Sequence, residues 1–402
     1  MDSSEFYKNI RDNLRKAVAE ITGGKMVNNQ DYTILVVDDD RGTRDLLLEI
    51  LKEYTVITAE NGEEALERVK NTDERPDLIL LDVVMPGGRN GYEVCKRLKA
   101  DEDIQDIPVI FLTVKADAEE EAQGLELGAV DYIHKPINSR IVKARVKNYL
   151  ELRTHQLNEQ IVAHIQKTML PEKFRPLPHQ SNLDLFAKMA PTKKVGGDFY
   201  DFFFIGLEKL AFVIGDVEGK GVPAALFLAV CLTLLRAEIT KTGYVDICLG
   251  NVNNLLILQC PLYKSVVVFI GILDVYTGEV KYACGGHDLP YLLNPKGEAE
   301  KLPGPGSDND GRALGKLEDQ EYKAGKIMLN KGEALFLYTD GVTRATKKGG
   351  DMFGKERLIQ YLEKNSQKSP EELSKGVIQE IEQFTTGEPQ SDDITVMALR
   401  YN

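Results

Sequence analysis

Two sets of carboxylates are spaced for chemistry. In the first, Val36-Val37-Asp38-Asp39-Asp40 places acids directly after a short apolar run, and Leu80-Leu81-Asp82 repeats the arrangement later in the chain. Converging carboxylates repel one another unless a cation sits among them, and an all-oxygen donor set favours Mg²⁺. Thr113 closes the run Val109–Leu112, and Lys135-Pro136 follows Tyr132-Ile133. A hydroxyl and an ammonium there would bind the oxygens of a phosphoryl group carried by Asp82. Lys-Pro also suggests a cis peptide bond.

The second set lies in the other half. Val195-Gly196-Gly197-Asp198-Phe199-Tyr200-Asp201, Gly215-Asp216-Val217-Glu218-Gly219-Lys220-Gly221, Tyr338-Thr339-Asp340-Gly341 and Ser391-Asp392-Asp393-Ile394-Thr395 each combine acids with small or turn-forming residues. Glycine lets the backbone turn sharply enough for carboxylates and a carbonyl to face one ion. Two Mg²⁺ or Mn²⁺ ions held ~3.5–4 Å apart in such a site would activate a water for in-line attack on phosphorus. Taken singly, each acid also reads as a helix cap or turn residue.

These acids meet only if the intervening elements bring them together. From Tyr32 to about residue 138, apolar runs (Thr33–Val37, Val56–Ala59, Leu78–Leu81, Val109–Leu112, Tyr132–Ile133) alternate with helical stretches. That alternation predicts an α/β doubly wound domain with a five-stranded parallel sheet over 31–138. Ligands of such sheets bind beyond the carboxyl ends of the strands, which is where Asp38, Asp39 and Asp82 fall. Residues 1–30 predict a helical N-terminal extension. Over 139–180, Val142, Val146, Leu150, Leu157, Ile161, Ile165 and Met169 recur at helical spacing until Pro171, with Pro176 and Pro178 beyond. This helical linker either packs on its own domains or pairs with its twin in a homodimer. Residues 181–402 are strand-rich, interrupted by helical stretches at Pro223–Thr240, Val245–Gln259 and Glu371–Phe384. They predict an α+β domain of antiparallel sheets flanked by helices.

Composition narrows the function. The chain has 402 residues, too many for one ordinary core, and a formal net charge of −13, which disfavours nonspecific binding to nucleic acid or anionic membrane. Five dispersed cysteines without a C-x-x-C pair read as reduced thiols, and the charged start is no secretory signal. No uninterrupted apolar stretch approaches the ~18 residues that span a bilayer. The expectation is a cytoplasmic protein.

In their order, the first set of residues resembles the receiver domain of two-component response regulators. The resemblance implies that Asp38 and Asp39 hold Mg²⁺ together with Asp82, and that Asp82 accepts phosphate from an upstream histidine kinase. It further implies that Thr113 and Lys135 are switch residues and that Tyr132 reports phosphorylation by changing rotamer. The loop Met85-Pro86-Gly87-Gly88-Arg89-Asn90-Gly91 is one residue longer than the usual pattern.

The second set resembles the metal-dependent protein phosphatase superfamily, in its bacterial branch named for sporulation stage II and sigma-factor regulation. Gln166-Lys167-Thr168-Met169-Leu170-Pro171, Val222-Pro223-Ala224-Ala225, Gly285-Gly286-His287, Ala313-Leu314-Gly315 and Phe353-Gly354 extend the likeness. It implies Asp198, Asp216, Asp340 and Asp392 as ligands of two Mn²⁺ or Mg²⁺, with the Val217 carbonyl, and Asp393 as the lesser choice of its pair. Two positions depart from the family pattern. Arg344 stands where glutamate is frequent, and Gly285-Gly286-His287 replaces A-G-H. His287 reads as a satisfied loop histidine ahead of a catalytic one. The start of the phosphatase domain offers no clear arginine for phosphate binding.

The combined expectation is a receiver-controlled phosphatase acting on phosphoserine or phosphothreonine in a protein, an anti-sigma-factor antagonist in a partner-switching pathway. The alternative is a noncatalytic phosphatase-like adaptor. A diguanylate cyclase is disfavoured by Phe199, which takes the place of that enzyme's second acid, and by the later aspartate motifs it would leave unexplained. A DNA-binding regulator is disfavoured by the acidic chain and the lack of a basic helix-turn-helix.

Overall fold

Five short apolar runs form the first sheet: β1 (Thr33–Val37), β2 (Thr55–Ala59), β3 (Leu78–Asp82), β4 (Val109–Thr113) and β5 (Asp131–His134). All pair in parallel, in the order β2-β1-β3-β4-β5. The computed structural model describes residues 32–71, 75–85, 90–101, 103–114, 118–171, 182–260, 265–306 and 311–402. The helix expected over 1–30, residues 86–89 of the long loop, and Pro176 and Pro178 lie outside the described residues. The chain divides into two units between Asn158 and Glu159.

In the first unit, α1 (Arg41–Ile50), α2 (Gly62–Lys70), α3 (Gly91–Lys99) and α4 (Ala118–Glu126) alternate with the strands. Two separate apolar clusters take alternate side chains of the same strands: Leu35, Val37, Ile79 and Leu81 join one, and Ile34, Val36, Leu78 and Leu80 the other. The sheet is thus covered on both faces, which is why its strands are nearly unbroken hydrophobic runs. Strand order reverses between β1 and β3, opening a crevice at their carboxyl ends. The long helix α5 (Ser139–Met169) spends its first turns here, burying Val142, Val146 and Leu150 in the second of those clusters.

The second unit contains two five-stranded sheets. One runs β13 (Ala324–Met328), β10 (Glu279–Gly285), β9 (Val266–Asp274), β8 (Lys209–Val217), β7 (Asp198–Ile205). The other runs β12 (Ala299–Lys301), β11 (Tyr291–Leu293), β14 (Ala334–Tyr338), β15 (Ile394–Tyr401), β6 (Leu183–Ala190). Every pairing in both is antiparallel. One core joins the inner faces of both sheets to α6 (Val222–Thr242) and α7 (Val245–Gln259). A second packs the far side of the β14–β15 sheet against α9 (Gly354–Lys364) and α10 (Pro370–Thr385), which follow the short α8 (Asp340–Arg344). This is the expected architecture: a doubly wound parallel domain, then antiparallel sheets flanked by helices.

Among the described residues, α6 is long and apolar enough to cross a bilayer by length and composition, an 18-residue window of it reaching a mean hydropathy of 1.9, although Arg236 and Glu238 interrupt the apolar run. Its apolarity has a local cause, because Leu228, Cys231, Leu232, Leu235 and Ile239 enter the core while Arg236 pairs with buried Asp201.

Candidate active site and phosphoacceptor site

Asp38 and Asp39 directly follow β1, and Asp82 ends β3, so the crevice gathers all three. Each can place a carboxylate oxygen within 4.8 Å of the others. Asp38 and Asp82 are buried. The Lys135 Nζ lies 2.8 Å from Asp38 Oδ2 and 2.9 Å from Asp82 Oδ2. The Lys135-Pro136 bond is cis, and the Lys135 amide donates to the Thr113 carbonyl. Burial works to lower the Lys135 ammonium, but hydrogen bonds to Asp38 and Asp82 outweigh it and hold the ammonium above its usual range. Burial, reinforced by Asp38, raises Asp82 against the pull of Lys135. An oxygen trio of this kind suits a hard divalent cation, with Lys135 beside it as a fixed positive charge.

Thr113 is buried at the end of β4. Tyr132 is buried with its ring centroid 5.5 Å from that of Phe111. A Cβ added at Gly124 would fall 2.0 Å from the Tyr132 hydroxyl, so only glycine lets α4 approach the ring. Asp40 serves a different purpose: it caps α1, accepting from the Thr43 amide.

The second cluster is built by register. Asp198 opens β7 and Asp216 lies near the end of β8, directly opposite it across the antiparallel pair. Asp340 opens α8 after β14, and Asp392 precedes β15. A Cβ at Gly197 would fall 2.8 Å from the Val217 carbonyl oxygen and 3.2 Å from Asp216 Oδ1. A carbonyl and a carboxylate thus flank a space only glycine leaves open. At Gly341 a Cβ would fall 1.9 Å from the Asp393 carbonyl, so glycine also brings Asp340 close to the Asp392–Asp393 turn.

The electrostatics show that these acids share one neighbourhood. Burial pushes Asp216 up to about 7, and Asp340, Asp392 and Asp393 push the same way while Arg344 opposes them. Burial and then Asp216 hold Asp198 well above the usual carboxylate range, against a hydrogen bond from Thr339. Burial raises Asp340, Arg344 lowers it, and Asp392 raises it again. Mutual repulsion of this kind, with a glycine cradle beside it, is the donor chemistry of a hard divalent cation site. Two side-chain cations lie on the cluster: Arg344 Nη1 is 2.9 Å from Asp340 Oδ2, and Lys220 Nζ is 3.0 Å from Asp392 Oδ1.

Asp393 differs from its neighbour. Its Oδ1 accepts from the Thr192 amide at 2.7 Å and the Thr192 hydroxyl at 2.8 Å, and its Oδ2 from the Gly197 amide at 2.7 Å. Three donors make it a brace holding the Gly196-Gly197 turn. His287 is buried, its Nδ1 donating to the Asp288 carbonyl, and its Nε2 has no partner.

Two residues that the motifs contained, Thr339 and Gln166, had no role assigned from the sequence. Thr339 Oγ1 donates to Asp198 Oδ2 at 2.6 Å and accepts from the Thr395 amide at 2.9 Å, fastening β7, β14 and β15 at the cluster. Gln166, near the end of α5, is buried and pairs with Gly196 both ways: its Nε2 donates to the carbonyl at 2.9 Å and its Oε1 accepts from the amide at 3.2 Å. The Gln166-Lys167-Thr168-Met169-Leu170-Pro171 motif was the available signal.

Comparisons with known proteins add to this geometry. Residues 207–402 match the family model described as stage II sporulation protein E, and residues 34–147 match that of the response regulator receiver domain. The chain is 31% identical over 269 residues to protein IcfG of Synechocystis sp., covering 59% of this chain and 40% of that protein. It is 38% identical over 164 residues to the phosphate regulon transcriptional regulatory protein PhoB of Pseudomonas aeruginosa, covering 40% of this chain and 68% of PhoB. The chain therefore spans about two fifths of IcfG and about two thirds of PhoB. The solved SiaA-PP2C domain of Pseudomonas aeruginosa superposes with a TM-score of 0.55 at 21% identity, covering 63% of this chain and 99% of that domain, so the two share a fold.

Proposed function

The chain belongs to the response regulators, its receiver joined to a phosphatase domain of the stage II sporulation protein E family, and from that premise we propose that phosphorylation of Asp82 controls hydrolysis of phosphoserine or phosphothreonine in a partner protein. The observation that carries the reading is that four separate segments bring Asp198, Asp216, Asp340 and Asp392 into one electrostatic neighbourhood, with Asp216 and the Val217 carbonyl beside the space that Gly197 keeps open. Asp392, not the fully engaged Asp393, is the ligand of its pair.

These groups would hold two Mn²⁺ or Mg²⁺ ions, whose chemistry there would be to acidify a water and neutralise phosphoryl charge. The protein's own residues hold the geometry. Thr339 fixes the Asp198 carboxylate, Asp393 fixes the turn carrying Gly197, and the β7–β8 register sets Asp198 opposite Asp216. Water then adds to phosphorus, the serine or threonine oxygen leaves with a proton, and inorganic phosphate is released.

In the receiver, Asp38, Asp39 and Asp82 would hold Mg²⁺ while a histidine kinase transfers phosphate to Asp82, with Thr113 and Lys135 meeting the new oxygens and Tyr132 responding. Helix α5 would carry the change, since its first turns lie in the receiver core and Gln166 near its end grips Gly196. A homodimer through the same helix is a corollary, and monomeric mass by light scattering with and without a phosphoryl mimic would refute it. The family likeness to sigma-factor regulators supports an anti-sigma-factor antagonist as substrate. Five free thiols suit a cytoplasmic setting, where receiver and kinase meet.

Phosphate release from a phosphoserine protein, measured with Mn²⁺, Mg²⁺ or chelator, tests the reading. Metal-dependent turnover should vanish in Asp216→Ala and Asp340→Ala. A folded wild type that releases no phosphate, with the receiver phosphorylated or not, makes the domain an adaptor.

A further inference from the structure

Arg344 is a cation set directly on the acidic cluster. Its guanidinium lies 2.9 Å from Asp340 and its side chain is 63% exposed. It lines a cavity of about 510 Å³ whose wall also includes Asp216, Asp340, Asp288, His287 and Lys355. Lys355 Nζ is 2.6 Å from Asp288 Oδ1. His287 adds no charge, because burial lowers its pKa and its Nδ1 proton is committed to the Asp288 carbonyl. The acidic residues on this wall, Asp216, Asp288 and Asp340, thus outnumber the basic ones, Arg344 and Lys355, which disfavours a phosphoryl dianion until a cation is bound.

Resting on the phosphatase reading above, we propose that Arg344 binds the phosphoryl group of the substrate, and that its ion pair with Asp340 holds it on that carboxylate until divalent cations take its place. Asp340 cannot serve Arg344 and a cation equally, since a divalent charge on the same oxygens repels the guanidinium. Displaced from Asp340, Arg344 stays on the cavity wall, where its planar fork of N–H donors matches two phosphoryl oxygens. This makes binding ordered, metal before phosphate. Lys220 provides the contrast: it pairs with Asp392 in the same way but is not among the residues lining the cavity.

The full chain, wild type and the variants Arg344→Ala, Arg344→Lys, Arg344→Glu and Lys220→Ala, is titrated by calorimetry with Mn²⁺ and then, Mn²⁺-loaded, with inorganic phosphate. KM and kcat for a phosphoserine protein are measured alongside. An exposed ion pair is weak, so Arg344→Ala should bind Mn²⁺ about 2- to 5-fold more tightly. Loss of a charged hydrogen bond should weaken phosphate binding and raise KM about 10- to 100-fold. Arg344→Lys recovers part of the phosphate affinity, Arg344→Glu binds metal tightest and phosphate weakest, and Lys220→Ala tightens metal while binding phosphate as wild type does. Phosphate affinity unchanged in Arg344→Ala and Arg344→Glu, or no phosphate binding by the loaded wild type, overturns the assignment. Absent turnover in a wild type that binds phosphate through Arg344 defeats the phosphatase reading alone.

Discussion

Asp392 and Asp393 are adjacent in sequence and opposite in use, and only the family likeness, not their spacing, ranked one above the other. Asp393 accepts three hydrogen bonds from Thr192 and Gly197, whereas Asp392 meets the exposed ammonium of Lys220. Asp393→Asn replaces one acceptor with a donor facing a donor, at a cost of about 1–3 kcal/mol. Chemical denaturation should show that loss, while Asp392→Asn should leave stability nearly unchanged and weaken Mn²⁺ binding in calorimetry. Asp216 sets the pH response. Its carboxyl is raised from an ordinary 3.8 to about 7, so between those values the folded chain holds a proton that the unfolded chain has released. In chelator, stability should therefore fall as pH rises from 4 toward 7, and Mn²⁺ should reverse the loss. Because the cation needs this carboxylate and that of Asp198, also raised, its apparent affinity should drop by at least about tenfold per pH unit below 7. A flat affinity between pH 5.5 and 7 would refute this.

At the scale of elements, what was legible followed from periodicity. Strands β1, β3 and β4 are buried on both faces and read as solid apolar runs, so the receiver sheet and its Asp38, Asp82 and Thr113 rim could be placed directly. β7 was harder, because Gly196-Gly197 reads as a break and the strand begins at the very next residue. Its register against β8, which sets Asp198 against Asp216, depends on pairing that no local pattern contains. Neither were the Arg344–Asp340 and Lys220–Asp392 pairs readable, the latter joining positions far apart in the chain. Helix α5 was visible as one amphipathic stripe, yet its chemistry at Gln166 rests on a backbone partner 30 residues away. Gln166→Ala strands the Gly196 carbonyl and amide at a cost of about 1–3 kcal/mol. Faster amide hydrogen exchange at Gly196 and Gly197, with the receiver strands unaffected, is the expected signature. Unchanged exchange there would remove Gln166 as the helix's grip on the turn.

For the molecule as a whole, separate hydrophobic cores on either side of Asn158 mean that each unit can respond to ligands of its own. Coupling between them is then a measurable free energy, not a consequence of their being on one chain. Mg²⁺ with beryllofluoride, a phosphoryl mimic, should bind at Asp82 and raise the unfolding temperature of the receiver transition by mass action. If α5 transmits the change, the mimic must also alter the Mn²⁺ affinity of the phosphatase unit, and Mn²⁺ must alter the mimic's affinity by the same factor. Typical couplings of about 1–3 kcal/mol correspond to a 5- to 150-fold effect, well within calorimetric range. Asp82→Asn should abolish it because the acceptor is lost, and Gln166→Ala should abolish it while leaving mimic binding intact. That second variant separates the possibilities: a mimic that still shifts Mn²⁺ affinity without Gln166 uses another route. No shift in the wild type leaves two domains that share a chain but not a switch.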